Sequence, residues 1–86
     1  MKYTKNDIKI LWKIADMKAT NRLLSCSVNT IIDKCNLSNT KVRATIKILL
    51  TDTLIEEGFR NKNAKSYYLT EKGINFLREL GYNNEI

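Results

Sequence analysis

The feature that most constrains the fold of this chain is a short polar break, NLS at 36–38, between two segments with helical apolar spacing. Apolar residues recur at helical intervals on both sides of the break, at Val28, Ile31, Ile32 and Cys35 before it and at Val42, Ile46, Leu49 and Leu50 after it. Ser38 is a good N-cap, because its hydroxyl can accept a hydrogen bond from a backbone N–H group two or three residues later. The pattern predicts one helix from residue 27 or 28 to about 35 and a second over 39–52.

The rest of the chain predicts elements on both sides of this pair. Thr4 and Asp7 resemble a capping box, with Asp where Glu or Gln is usual, and predict a helix over about 5–20. The segment RLLSCS at 22–27 predicts a brief strand. Over 53–70 the apolar residues no longer follow helical spacing. Here LIEEGF and SYYLT predict the arms of a β-hairpin around a polar tip, RNKNAK. Thr70 caps a closing helix over 71–80. Two helices joined by a short polar turn form a helix-turn-helix, and here a hairpin follows it directly.

Length and composition limit the class of protein. We expect residues 1–86 to form a single small domain, and 43% of them are hydrophobic, which is enough for a core. No apolar run approaches the roughly 18 residues of a membrane span, and the N-terminus lacks the apolar core of a signal peptide. We therefore expect a soluble, cytoplasmic protein with no membrane partner.

The residue types argue against catalysis. The chain has no histidine, the side chain that exchanges protons most readily at neutral pH, and its three glycines are too scattered for a phosphate loop. We expect neither an enzyme nor a bound cofactor or metal. Cys26 and Cys35 match no zinc or redox spacing, so reduced, mostly buried thiols are favoured, with a structural disulfide as the alternative.

The charge suggests a polyanionic partner. The net charge is +6, and the basic excess is confined to residues 1–22 and 39–65. Such an uneven excess on a small domain most often indicates nucleic acid. The alternatives are an ordinary solvated surface, or lysine enrichment that reflects an AT-rich genome.

Two segments carry a family resemblance. SVNTIIDKCNLSNTKVRATIKILLTDTLIEEGF resembles the helix–turn–helix–strand segment of winged helix regulators, and YYLTEKGINFL resembles the second wing strand and following helix of MarR- and PadR-like proteins. The resemblance implies an α+β, mainly α, winged helix-turn-helix fold: a three-helix core with a β-hairpin wing and a C-terminal helix. In size and basic composition the chain also resembles the TubR-type centromere-binding proteins of plasmids and phages, in which the recognition helix also contributes to the dimer.

The chain departs from this family at one position. The family usually has glycine between the recognition helix and the first wing strand, because that residue must enter the left-handed region. Thr53 stands there, and a β-branched residue is poor in that conformation. Two possibilities are open: the helix ends differently, or it runs longer and the wing leaves at another angle.

The outward face of the helix over 39–52 is the candidate DNA-reading surface. Arg43 suits bidentate contact with guanine, and Asn39 suits adenine. Thr40, Ala44 or Ile48 could contact a thymine methyl group, while Lys41 and Lys47 suit phosphates. In the predicted wing tip, Arg60, Lys62 and Lys65 suit phosphates or the minor groove. The alternative is a solvated face without function.

A second apolar stripe on the first helix predicts a homodimer. Ile8, Leu11, Trp12, Ala15 and Ala19 form one stripe, and Ile10, Ile14 and Met17 form another on the opposite side. Because a helix that is apolar on two sides must bury both, we expect the second stripe to meet another subunit. Ile48, outward on the recognition helix, is predicted to join that interface.

These observations favour a dimeric, sequence-specific binder of double-stranded DNA, acting as a transcriptional repressor or as a partition adaptor. A partition adaptor would have a filament-forming NTPase as its partner. The main rival is a winged helix used for protein–protein contact without specific DNA binding. A third interpretation, RNA binding, depends on the aromatic pair Tyr67 and Tyr68, of which one ring is expected to face the core.

Overall fold

A computed structural model describes residues 3–59 and 64–81 of the chain. Four helices and three short strands follow in the order α1 (Lys5–Asp16), β1 (Cys26–Ser27), α2 (Val28–Cys35), α3 (Asn39–Thr51), β2 (Ile55–Glu57), β3 (Ser66–Leu69) and α4 (Glu71–Glu79). The strands form one antiparallel sheet in the order β1-β3-β2, with Cys26 opposite Tyr67 and Ile55 opposite Leu69. The predicted mainly helical winged helix-turn-helix is confirmed.

The polar break forms the turn between α2 and α3 as predicted. Helix α2 ends at Asn36, which adopts the left-handed conformation with φ 56°. Asparagine tolerates this conformation better than most residues, so the chain can reverse direction within three residues. Ser38 then caps α3, and its hydroxyl accepts a hydrogen bond from the Lys41 N–H at 3.2 Å.

The first helix is shorter than predicted, and the segment after it is not a continuous strand. Helix α1 ends at Asp16 because Lys18 turns into the left-handed region at φ 58°. The Ala19 N–H then donates to the Ile14 carbonyl at 3.3 Å, a bond typical of a helix terminus. Residues 22–24 form a 3₁₀ turn capped by Asn21, and only 26–27 pair as a strand.

The core corrects the dimer prediction for two residues. Ile10 and Ile14 are fully buried inside the single chain, as are Leu11 and Ala15. Helix α1 packs against α2, α3, α4 and β3, so a broad arc of its surface faces the core rather than one narrow stripe. The assignment of Ile10 and Ile14 to a dimer interface is therefore wrong. Trp12, which the sequence placed in the same stripe as Leu11 and Ala15, is instead 41% exposed on the outer side of α1.

Thr53 occupies the position where the family usually has glycine, and it adopts the conformation that glycine would adopt. Helix α3 ends with Asp52 as its C-cap, and Thr53 has φ 61°. The Thr53 N–H donates to the Leu50 carbonyl and the Leu54 N–H to the Leu49 carbonyl, both at 3.0 Å, which is the Schellman arrangement. Both possibilities raised from the sequence are therefore wrong: the helix ends as in the family, and Thr53 adopts the left-handed conformation with backbone strain.

We predict that Thr53→Gly stabilises the protein. In the left-handed region a residue with a Cβ is destabilised by about 1–2 kcal/mol, and glycine removes this strain. Glycine also gives the unfolded chain more conformational entropy, which cancels about 0.5–1 kcal/mol of the stabilisation. The free energy of unfolding should therefore rise by about 0.5–1 kcal/mol in urea titrations. Thr53→Ala is the control, because alanine keeps the Cβ and the strain. Equal stabilities for the glycine and alanine variants would contradict the prediction.

Candidate nucleic-acid interface

The outward face of α3 presents the predicted polar residues to solvent. Five side chains of the predicted set are exposed, namely Asn39, Thr40, Arg43, Ala44 and Lys47, and Lys41 is half-buried. The residues of α3 that face the core are Val42, Thr45, Ile46 and Leu49. Ser38 fixes where the helix begins, so these residues share one face of a single regular helix.

A groove runs beside this face, between α3, the start of α2 and the wing strand β3. Two adjoining concavities of about 440 and 640 Å³ lie there, and both are lined by Val28, Arg43, Lys65 and Tyr67. Asn29 borders the smaller concavity, and Lys47 the larger one. Cations from α3 and from the wing therefore line one surface, although they are far apart in sequence.

Asn39 and Arg43 form a pair on the surface of α3. They are one turn apart, and the Arg43 Nε–H donates a hydrogen bond to Asn39 Oδ1. This bond leaves the two terminal nitrogens of the guanidinium group for another acceptor pair. The same bond uses one of the two lone pairs of the Asn39 oxygen, the atom that would accept from an adenine amino group. The arrangement favours Arg43 as the base-reading residue and Asn39 as its support.

The predicted wing cations are only partly within the described chain. Lys65 is exposed at the foot of β3, where its Nζ lies 3.6 Å from Glu57 Oε1 on the neighbouring strand. An exposed ion pair of this kind contributes little to stability. Arg60 and Lys62 fall within residues 60–63, outside the described residues.

The other two predicted dimer residues differ in exposure. Met17 packs partly buried against the core, whereas Ile48 is 44% exposed. Ile48 lies in a shallow concavity with Lys47, Thr51 and Asp52. Sequence reasoning missed the other large apolar side chains that are exposed in the described part of the chain, which are Leu23, Leu24 and Phe59 together with Trp12. Leu23 is 81% exposed, which no sequence pattern signalled.

A buried carboxylate behind α3 was also missed as part of the site. Asp7 is 4% exposed, and its Oδ1 accepts a hydrogen bond from the Thr45 hydroxyl of α3 at 2.9 Å. Burial by itself would raise the pKa of Asp7. Hydrogen bonds from Thr4 and Thr45, and the nearby charge of Lys41, outweigh burial and lower that pKa. The capping-box pattern identified Asp7 as a helix-starting residue, but nothing in the sequence linked it to Thr45.

The lowered pKa of Asp7 predicts an acid-sensitive contribution to stability. A carboxyl group with a folded-state pKa below its unfolded value stabilises the fold above the unfolded pKa, and that stability disappears as the pH falls through the folded pKa. The difference in unfolding free energy between wild type and Asp7→Asn should be largest near neutral pH and shrink below about pH 4. Urea titrations at several pH values, followed by Trp12 fluorescence, measure it. A difference that does not change with pH would contradict the prediction.

Both cysteines are free thiols, as favoured over a disulfide. Burial raises the pKa of both thiols, that of Cys26 to about 11, so neither is poised for nucleophilic or redox chemistry. Within 3–59 and 64–81, no cluster of three or more potential ligand residues could hold a metal ion. Within the same ranges, no helix has the length and apolarity needed to cross a membrane.

The fold and the exposed face of α3 define a class, the winged helix DNA-binding domain. No family model matches the chain. The chain is 30% identical over 80 residues to the DNA-binding protein TubR of a Clostridium botulinum C phage, with 93% of this chain and 99% of the relative covered. Its structure resembles TubR from Bacillus megaterium pBM400, with a TM-score of 0.84, 22% identity and 94% and 90% of the two chains covered. It also resembles a zinc-responsive MarR family member, ZitR of Lactococcus lactis, with a TM-score of 0.73, 22% identity and 93% and 52% covered.

The chain belongs to the TubR family of DNA-binding proteins. The resemblance to winged helix regulators of the MarR type, and to TubR-type proteins in particular, is thereby confirmed.

Proposed function

We propose that the chain binds double-stranded DNA in a sequence-specific manner as a homodimer, with α3 in the major groove and the wing beside it. The observation that supports this most strongly is the single surface formed by the outward face of α3 and the groove lined by Arg43 and Lys65. A major groove of B-form DNA admits one α-helix, and cations on both sides of that helix can then meet the flanking phosphates. The TubR relative is itself named a DNA-binding protein.

Roles follow from side-chain chemistry and position. Arg43, supported by Asn39, reads a guanine through its two terminal nitrogens, and Thr40 and Ala44 meet thymine methyl groups. Lys47 contacts a phosphate. Lys41 does so from a half-buried position, where Asp7 offsets part of its charge. In the wing, Lys65 exchanges Glu57 for a phosphate, and Arg60 and Lys62 meet phosphates or the minor groove.

The homodimer uses the exposed apolar side chain of Ile48, with Met17 at the margin of the interface. Because Ile48 shares a helix with Arg43 and Lys47, such an interface would fix the spacing between two reading faces. DNA sites of dimeric proteins repeat with the symmetry of the protein, so the target is expected to contain repeated half-sites.

The biological role is that of a partition adaptor or a transcriptional repressor in the cytoplasm. The TubR relatives of a Clostridium botulinum C phage and of Bacillus megaterium pBM400 are compatible with both roles. As a partition adaptor it would link its DNA site to a filament-forming NTPase. No enzymatic activity is proposed.

DNase footprinting on the DNA flanking its own gene tests this function. A protected segment with repeated half-sites supports it. The protected segment can then be placed on an unstable plasmid together with the gene and its neighbours, to measure how well dividing cells retain the plasmid. In a second assay the segment is placed upstream of a reporter gene, to measure repression of that gene. Retention without repression indicates partition, and the reverse indicates a repressor. Failure to protect any segment would favour the rival function, a winged helix that contacts proteins.

A further inference from the structure

Two side chains near the start of the chain form polar contacts with the recognition helix. Asp7, in the first turn of α1, accepts a hydrogen bond from Thr45 in the middle of α3. Tyr3, just before α1, donates a hydrogen bond from its hydroxyl to Oδ2 of Asp52, the C-cap of α3, at 2.6 Å. The same short segment therefore holds α3 at two points along its length.

The contact at Thr45 is buried, and the carboxylate that it meets is itself held in place. Thr45 is 1% exposed, and its hydroxyl faces a carboxylate that the capping box already holds. The Thr4 N–H donates to Asp7 Oδ2 at 3.0 Å, and the Asp7 N–H donates to Thr4 Oγ1 at 3.2 Å. Because Asp7 is fixed by the start of α1, it fixes Thr45 in turn.

The contact at Asp52 is supported by an aromatic neighbour. The Tyr3 ring meets the edge of Phe76 in α4, with 5.1 Å between ring centroids. Burial, with the hydrogen bond to Asp52, raises the pKa of Tyr3 to about 12. The phenol therefore remains a proton donor to Asp52 throughout the physiological pH range.

The spacing of the two contacts restrains how α3 can move. Thr45 and Asp52 are seven residues apart, which is about two helical turns and about 10 Å of rise, so they lie on one side of the helix. At about 100° per residue, Arg43 and Lys47 project from nearly the opposite side. A rotation of α3 by about 20° would displace atoms at its outer radius by about 2 Å, enough to break a hydrogen bond to a base edge.

We propose that Tyr3 and Asp7 are positioning residues that set the rotation and axial position of α3 for reading bases. This inference rests on the proposed function, since it concerns how the same helix reads DNA. Base contacts require exact placement, whereas a flexible lysine follows a phosphate through a small displacement. Loss of either contact should therefore reduce sequence discrimination more than general affinity for DNA.

The test compares variants at a temperature where circular dichroism shows each to be folded. Thr45→Val removes the donor with little change of shape, and Thr45→Ser restores a donor. Tyr3→Phe removes the second donor and keeps the ring beside Phe76, and it tests the proposal even if Thr45→Val fails to fold. Ile10→Val is the matched control, because it lowers stability in α1 without touching a polar contact.

We expect Thr45→Val to bind the footprinted duplex about tenfold more weakly and a scrambled duplex within about twofold of wild type. Tyr3→Phe should show the same selective loss at a smaller size, while Thr45→Ser and Ile10→Val keep wild-type discrimination. Wild-type discrimination in both Thr45→Val and Tyr3→Phe would overturn the proposal, as would an equal loss on both duplexes. Absence of discrimination in the wild type would instead overturn the proposed function.

Discussion

Replacing Ile10 with glutamate is expected to abolish the folded state. Ile10 is fully buried in the hydrophobic core of the single chain. The substitution loses about 1.5–3 kcal/mol of apolar burial and adds the several kcal/mol needed to bury an unpaired charge. An 86-residue domain has a total stability of only about 4–13 kcal/mol. Far-UV circular dichroism should therefore show the loss of helix at room temperature.

Ile48→Glu is the matched comparison, because it is the same substitution at a 44% exposed position. The variant should keep the wild-type circular dichroism spectrum. If Ile48 lies in a dimer interface, as predicted, the variant should sediment as a monomer where the wild type is a dimer. A folded Ile10→Glu variant would contradict the core described above, and a dimeric Ile48→Glu variant would remove Ile48 from the interface.

The second large effect concerns Arg43 and Lys47, which project from the same face of α3. Arg43→Ala should cost about 1–3 kcal/mol in binding to the specific site and far less on a scrambled duplex, because guanine edges are present only at defined positions. Lys47→Ala should weaken binding to both duplexes alike and reduce the salt slope by about one, because phosphates are present in every sequence. Electrophoretic or fluorescence titrations at several salt concentrations measure both. Similar, sequence-independent losses for the two variants would contradict the base-reading role of Arg43.

A double-mutant cycle separates the roles of Asn39 and Arg43. If Asn39 acts by holding the guanidinium group, Asn39→Ala should add little to the effect of Arg43→Ala. Both single variants should also relax discrimination at the same base pair. Additive effects at two different base pairs would instead show that Asn39 reads its own base, as the sequence alone had suggested.

The helix-turn-helix could be predicted because local chemistry determines it. Ser38 at the N-cap and the apolar spacing of α3 are properties of neighbouring residues, and they indicate this helix before any tertiary contact is known. The wing could be predicted in the same way, because after Thr53 the spacing of apolar residues changes from that of a helix to that of β-strands. The ending of α3 at Thr53 was not predicted, because both possibilities raised from the sequence assumed that a β-branched residue would avoid the left-handed conformation that Thr53 adopts.

The omissions arose where tertiary contacts decide the outcome, but the error on α1 did not. On a helical wheel Ile10, Leu11, Ile14 and Ala15 span about 140°, so they form one broad apolar face rather than two opposed stripes, and all four are buried. The hydrogen bond between Thr45 and Asp7 could not be predicted, because the two residues are 38 positions apart in the sequence and only the fold brings them together. The pairing of Asn39 with Arg43 depends on rotamers, which residue spacing permits but does not specify.

The most direct test of sequence-specific DNA binding is a salt titration of the wild-type protein against two duplexes. One is the footprinted duplex, and the other is a scrambled duplex of equal composition. We expect similar salt slopes, because the phosphate contacts are shared, and an affinity advantage for the footprinted duplex that persists at every salt concentration. Equal affinity for both duplexes throughout the titration would contradict sequence-specific recognition by α3.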